Sequence, residues 1–203
     1  MTVKKGDVLS IDALREIASI ASGNAATGLS KLLNKKIDVT TPKASVMKIE
    51  DIAEQLGGAE KLFMTVLFRV VGDVGGTIMM MFETTEAHKL ANILLGRKTS
   101  KDIMFDEMMQ STIKEIGNIM TGSYLMALSD MLDLKMIHTV PSLATDMLQA
   151  ILDAVLAELA LKADEALVLE TDFSVHDNDI RGHILFLPEE DGIKKIMAKI
   201  HMN

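Results

Sequence analysis

The sequence of 203 residues predicts an α+β fold built from a duplicated half-repeat with pseudo-twofold symmetry. A central, mostly antiparallel β-sheet and two long helices with polar residues on an exposed face complete the expectation. Three observations lead there. First, the segments DALREIASIASG (Asp12–Gly23) and STIKEIGNIMTG (Ser111–Gly122) set Glu16 above Glu115 and Gly23 above Gly122, each pair 99 residues apart. Pro42 and Pro141 keep the same spacing. Second, GTIMMMF (Gly76–Phe82) resembles GHILFLP (Gly182–Pro188) at a spacing of 106, so about seven residues are inserted between the landmarks of the second half. Third, each of these segments is followed by apolar residues at helical spacing: Ala87, Leu90, Ile93 and Leu94 in one half, Ile193, Ile196, Met197 and Ile200 in the other.

Each half therefore reads as a long helix, a short extended piece ending near Pro, a variable segment, a β-hairpin and a closing helix. The first hairpin joins two β-rich apolar runs, Leu62–Val71 and Thr77–Phe82, through the turn residues Gly72-Asp73-Val74-Gly75-Gly76. The second joins Leu167–Val175 to Gly182–Leu187 through residues His176–Arg181. The variable segments differ: Ile49–Leu56 reads as a short helix closed by Gly57 and Gly58, Leu143–Ala163 as a long apolar helix. No Pro/Gly/Ser-rich linker separates the halves, and the junction Gly96–Asp106 is short. Residues 1–203 are thus expected to form one domain of two repeats, about 8–97 and 106–202.

Composition narrows the function. The net charge is −8, no Lys/Arg cluster stands out, and only seven residues are Tyr or Phe, with no Trp. A nucleic-acid partner is not expected, nor an acidic membrane surface. With no Cys there are no disulfides and no thiolate metal sites. The five His show no paired ligand spacing, so no metal site is expected. Residues Met1–Ser10 lack the apolar stretch of a signal peptide, and Ile78–Phe82 is too short to span a bilayer, so the protein is expected in the cytoplasm. The 16 Met read as core filler, or else as part of an adaptable binding surface.

On a helical wheel, Ser111, Glu115, Asn118 and Gly122 share one side of the second long helix, and Ile113, Ile116, Met120, Tyr124 and Leu128 share the other. In the first half Asp12, Glu16, Ser19 and Gly23 form the polar stripe, and Leu14, Ile17, Ala21, Ala25 and Leu29 the apolar face. A Glu and an Asn on an exposed helix face are as a rule just solvated, and common descent alone would repeat them. The residues by themselves give a small polar patch on each of two related helices.

The pattern of a carboxylate or hydroxyl residue, three residues, Glu, two residues, Asn, and a Pro some 22 residues on resembles the signature of the CheC/CheX/FliY phosphatase family. The second half carries it whole in Ser111, Glu115, Asn118 and Pro141; the first carries Asp12, Glu16 and Pro42, with Ser19 where Asn is expected. The two-copy form is similar to CheC rather than to the shorter CheX, and the chain has no room for the extra terminal regions of FliY. The resemblance implies hydrolysis of the aspartyl phosphate of the chemotaxis response regulator CheY. The family's Asn enters the regulator's active site and orients water, its Glu pairs with the regulator's active-site Lys, and Mg²⁺ comes with the regulator, so no cofactor of the chain's own is needed. Carried over, Asn118 orients water, Glu115 docks, and the Glu16/Ser19 site is weak or dead because the Ser hydroxyl is too short. The resemblance further implies a second partner, the receptor deamidase CheD, with Asp146 as candidate contact on the helix after Pro141; a helix-start Asp favoured by the dipole explains that residue equally well. The alternative function is a non-enzymatic adaptor that binds CheD or phosphorylated CheY. A structural part of the flagellar switch is a third.

Overall fold

The computed structural model describes residues 5–98, 104–158, 165–175, 178–189 and 191–202. In chain order the elements are α1 (Lys5–Leu33), β1 (Ile37–Lys48), α2 (Ile49–Gln55), β2 (Leu62–Gly72), β3 (Gly76–Glu83), α3 (Thr84–Leu95), α4 (Glu107–Leu132), β4 (Met136–His138), β5 (Ser142–Met147), α5 (Leu148–Glu158), β6 (Glu165–Val175), β7 (Asn178–Pro188) and α6 (Gly192–Met202). The strands form one seven-stranded sheet in the order β1-β6-β7-β3-β2, with β4 and β5 both on the outer edge of β2, and every pairing is antiparallel.

The two hairpins meet along β3 and β7, where Met79 is the register partner of Leu185. Those are the residues that the 106-residue spacing relates, so the pseudo-twofold axis passes between them. The first strand of each half crosses over: β1 pairs with β6 and β5 with β2. Each half completes its edge with a strand of the other, so the halves share one sheet.

Both faces of the sheet are covered, which accounts for apolar runs such as β3, buried through seven consecutive residues. On one face α1, α3, α4 and α6 close over Met64, Val66, Phe68, Ile78, Met80 and Phe186. On the other α2 and α5 cover Phe63, Met79, Met81, Leu185 and Leu187. Alternate residues of β2, β3 and β7 serve the two cores, as the strand period requires. Many of the Met are core filler; Met64, Met79, Met80, Met81, Met109, Met120 and Met136 are all buried.

Two expectations need correction. Residues Leu143–Met147 are not helical: β5 spans Ser142–Met147, and α5 begins only at Leu148. The open edge of β2 takes Leu143–Met147 into register, Leu62 opposite Met147 and Val66 opposite Leu143, and this nonlocal pairing overrides local helix propensity. Residues 159–163 of that expected helix lie outside the described residues. Also, β1 does not end near Pro42 but runs on to Lys48, with a register shift between Thr40 and Lys43. Pro has no N–H for the ladder, so a bulge or an edge position is where a strand tolerates it.

Candidate docking face

α4 is held firmly at its start. The Asp106 side chain caps it, accepting from the Met109 N–H at 2.8 Å, and pairs with Arg97 at 2.5 Å. The Met109 N–H, then Arg97, hold the Asp106 carboxyl below the usual carboxylate range. Further along, Gly117 lets the helix sit down on β2: a Cβ there would lie 2.9 Å from Val66 Cβ and Cγ1. Ile113, Ile116, Met120, Tyr124 and Leu128 are buried, each 3% exposed or less. The opposite side therefore faces outward, with Ser111 and Glu115 exposed and Asn118 and Gly122 half-buried. Among the described residues no side chain pairs with the Glu115 carboxylate or the Asn118 carboxamide. At i and i+3 on one helix their Cβ atoms are about 5–6 Å apart.

Exposed Met108 and Met126 stand at either end of this stripe, seven residues before and eleven after Glu115, on the same side of the helix. At 1.5 Å per residue the two thioethers are about 27 Å apart, two separate exposed side chains rather than one apolar patch. Two clefts among the described residues lie elsewhere. One of about 710 Å³ is lined by Lys48, Glu50, Gln149 and Leu152, and one of about 620 Å³ by Asp38, Glu86, Asp172 and Arg181.

α1 lies antiparallel beside α4, since Ser22 reaches Tyr124 while Gly28 faces Ile119. Its stripe also faces outward: Asp12, Glu16, Ser19 and Gly23 are exposed, and Leu14, Ile17, Ala21, Ala25 and Leu29 are buried. Asp12 pairs with Arg15 at 3.6 Å within its own helix. At 1.5 Å per residue, the antiparallel alignment sets Glu16 and Glu115 on the order of 20 Å apart along the helix pair.

The strand after each helix differs between the halves. In the first, Val39 is buried, and the Thr41 hydroxyl hydrogen-bonds to Ser22 Oγ at 2.8 Å and to the Tyr124 hydroxyl, while Ser22 and Tyr124 are themselves 2.8 Å apart. In the second, residues 139–141 interrupt the edge strand between β4 and β5, His138 is half-buried, and Val140 is 88% exposed. The His138 ring meets Phe68 edge-on at 5.0 Å, its Nδ1 lies 3.0 Å from the Thr139 carbonyl oxygen, and its Nε2 lies 3.5 Å from where a Cβ on Gly122 would be. β4 is anchored by the β2–β3 turn: Asp73 N–H donates to the Lys135 carbonyl and Lys135 N–H to Asp73 Oδ2, both at 2.8 Å. Gly72 must be Gly, because its φ is +133° and a Cβ would fall 1.9 Å from the Lys135 oxygen.

A family model described as the CheC-like family matches residues 9–46 and 108–144, the long helix and following strand of each half. The CheY-P phosphatase CheC of Bacillus subtilis (strain 168) is 30% identical over 194 residues, 94% of this chain and 93% of that protein. The chain belongs to the CheC-like family. The flagellar motor switch phosphatase FliY of B. subtilis is 29% identical over 119 residues, 58% of this chain and 31% of that protein. The FliY crystal structure from Thermotoga maritima superposes with a TM-score of 0.74 at 18% identity, covering 100% of this chain and 99% of that one. FliM from H. pylori, in its complex with SpeE, gives 0.68 at 13% identity, covering 99% and 97%. These two likenesses show a shared fold.

Within this CheC-like chain both stripes lie outward on one face of the molecule. Pro141 is half-buried in the break between β4 and β5, and Pro42 falls in the register shift of β1. Asp146 is exposed on strand β5, not at a helix start, and its Oδ1 accepts from the Met147 N–H at 2.7 Å. Sequence reasoning missed Gly117 and His138. The signal for Gly117 was its pairing, 99 residues on, with buried Ala18, two small residues inside apolar faces. In the sequence His138 has no paired ligand spacing, and among the described residues no group of three His, Cys, Asp or Glu side chains could hold a metal ion. No helix among them is long and apolar enough to cross a membrane.

Proposed function

We propose that this chain is a phosphatase for the aspartyl phosphate of a CheY-type response regulator, with its working site on α4. One observation carries the reading: Glu115 and Asn118 project together from an outward helix face with no internal partner among the described residues. Groups so placed can enter a pocket on another protein.

An acyl phosphate is labile, so the barrier falls mainly through positioning and charge stabilisation. The Asn118 carboxamide accepts from the attacking water and can donate to the phosphoryl group. Water oxygen bonds to phosphorus as the bond to the aspartyl oxygen breaks. The carboxylate leaves, and inorganic phosphate carries away the water proton. Glu115 pairs with the regulator's active-site Lys and sets the depth of Asn118. Mg²⁺ is held by the regulator. At the α1 site Ser19 is shorter, so Glu16 supports docking without efficient hydrolysis.

Release of phosphate from a phosphorylated regulator tests this directly. The wild type accelerates release over spontaneous decay, and Asn118→Ala loses most of that acceleration. No acceleration by the wild type would leave the second reading, an adaptor. The exposed Asp146 on edge strand β5 favours that one, as a contact for CheD. Co-purification of CheD with the wild type but not with Asp146→Arg would support it.

A further inference from the structure

The second-half stripe has a niche that the first half lacks. A helical side chain covers the surface over the turn before its own Cα. With no side chain at Gly122, the spot beside Asn118 stays open, and His138 Nε2 stands at its edge, 3.5 Å from the missing Cβ. Two contacts hold the ring there: Phe68 edge-on at 5.0 Å, and Nδ1 at 3.0 Å from the Thr139 carbonyl oxygen. With Nδ1–H donating to that oxygen, Nε2 of the neutral ring is an unshared acceptor. The strand end is itself fixed, since Thr139 N–H donates to the Arg69 oxygen at 2.9 Å. At the matching places in the first half, Val39 is buried in the core, and a Cβ on Gly23 would meet nothing within 4 Å. The niche therefore exists only beside the stripe that keeps its Asn.

From this we infer that His138 is a third docking residue of the α4 site, whose Nε2 accepts a hydrogen bond from the bound regulator through the niche that Gly122 leaves open. The inference rests on the regulator reading above. His138 positions the partner and takes no part in the chemical step.

Binding of a regulator held in its active form by beryllofluoride and Mg²⁺ tests it without relying on turnover. His138→Phe keeps the ring edge on Phe68 but removes both nitrogens, and about 5- to 10-fold weaker binding is expected from one lost hydrogen bond. His138→Gln can place an amide group where Nε2 stands and stays within about twofold of wild type. Gly122→Leu fills the niche, suits a helix, and weakens binding at least as much as His138→Phe with a melting temperature no lower than wild type. In turnover His138→Phe raises KM and leaves kcat nearly unchanged, the mark of a contact made equally before and during reaction. Wild-type affinity in His138→Phe would overturn the inference, as would equal losses in the Gln and Phe variants. A wild type that does not bind the regulator would overturn this inference and the proposed function together.

Discussion

In the first half the strand behind the long helix is tied inward; in the second half the same stretch breaks away. Ser22, Thr41 and Tyr124 close a hydroxyl cluster between α1, β1 and α4. Moved by 99 residues, the counterparts of Ser22 and Thr41 are Thr121 and Val140, and that of Tyr124 is Ala25. The Val140 side chain cannot hydrogen-bond and is exposed, Ala25 is too small to reach, and the Thr121 hydroxyl is buried with no partner among the described residues. A polar group left so costs about 1–3 kcal/mol. Without the polar tie, the second strand is free to part at residues 139–141, and its His138 and Val140 turn outward beside the intact stripe. Duplication thus preserved the helices and the sheet, while the strand behind them diverged between the halves.

The largest expected effect separates the stripes themselves. Asn118→Ala should lower phosphate release on the order of 100-fold, the scale of a misplaced nucleophile. Ser19→Ala should change it less than about twofold. Comparable losses from both would mean that the halves share the work, and the asymmetry drawn above would fail.

The next effect concerns how α4 is seated. Gly117→Ala puts a methyl 2.9 Å from Val66; overpacking of this kind costs roughly 1–3 kcal/mol, of which the gain in helix propensity offsets about 1 kcal/mol. Ala18→Gly at the matching place should cost about 1–2 kcal/mol, from helix propensity and the buried methyl it removes. Urea unfolding of both variants measures the difference. If Gly117→Ala is more stable than wild type by the full helix-propensity gain of about 1 kcal/mol, α4 can lift off β2, and the close seating does not position Asn118.

Much of this was legible in the sequence, and the limit is physical. Periodicity separated the buried and exposed faces of α1 and α4 because each face is decided within one helix: Ile113 and Leu14 went inward, Glu115 and Glu16 outward. The 106-residue spacing marked the residues that meet at the pseudo-twofold axis. What escaped depends on distant partners. Leu143–Met147 becomes strand because β2 offers a free edge, and β1 passes its Pro because β6 continues alongside. Of the site, Glu115 and Asn118 were readable as a stripe, but His138 matters through its closeness to Gly122, sixteen residues earlier in the chain and on another element.

The hydroxyl cluster supplies a smaller test. Tyr124→Phe leaves Ser22 and Thr41 bonded to each other, so the expected cost is about 1 kcal/mol. Its signature should be local: faster amide exchange along β1, with β4 and β5 unchanged. Uniform loosening of both edges would mean that the cluster braces the whole helix pair rather than one strand.

The smallest effect is the most informative about the halves. Ser19→Asn gives the first stripe the residue it lacks, and in an otherwise wild-type chain the rate should rise by no more than about twofold, the limit for a second equal site. The sharper version combines Ser19→Asn with Asn118→Ala. If the carboxamide is all that the first half lacks, the double variant recovers activity well above Asn118→Ala alone. Recovery should stay small, because Val39 stands buried where the second half presents His138, and Thr27 stands where it presents Met126. A regulator docked on α1 would find neither the ring nitrogen nor the flanking thioether. Full recovery would show that one side chain, and not the strand behind the helix, separates a working site from an idle one.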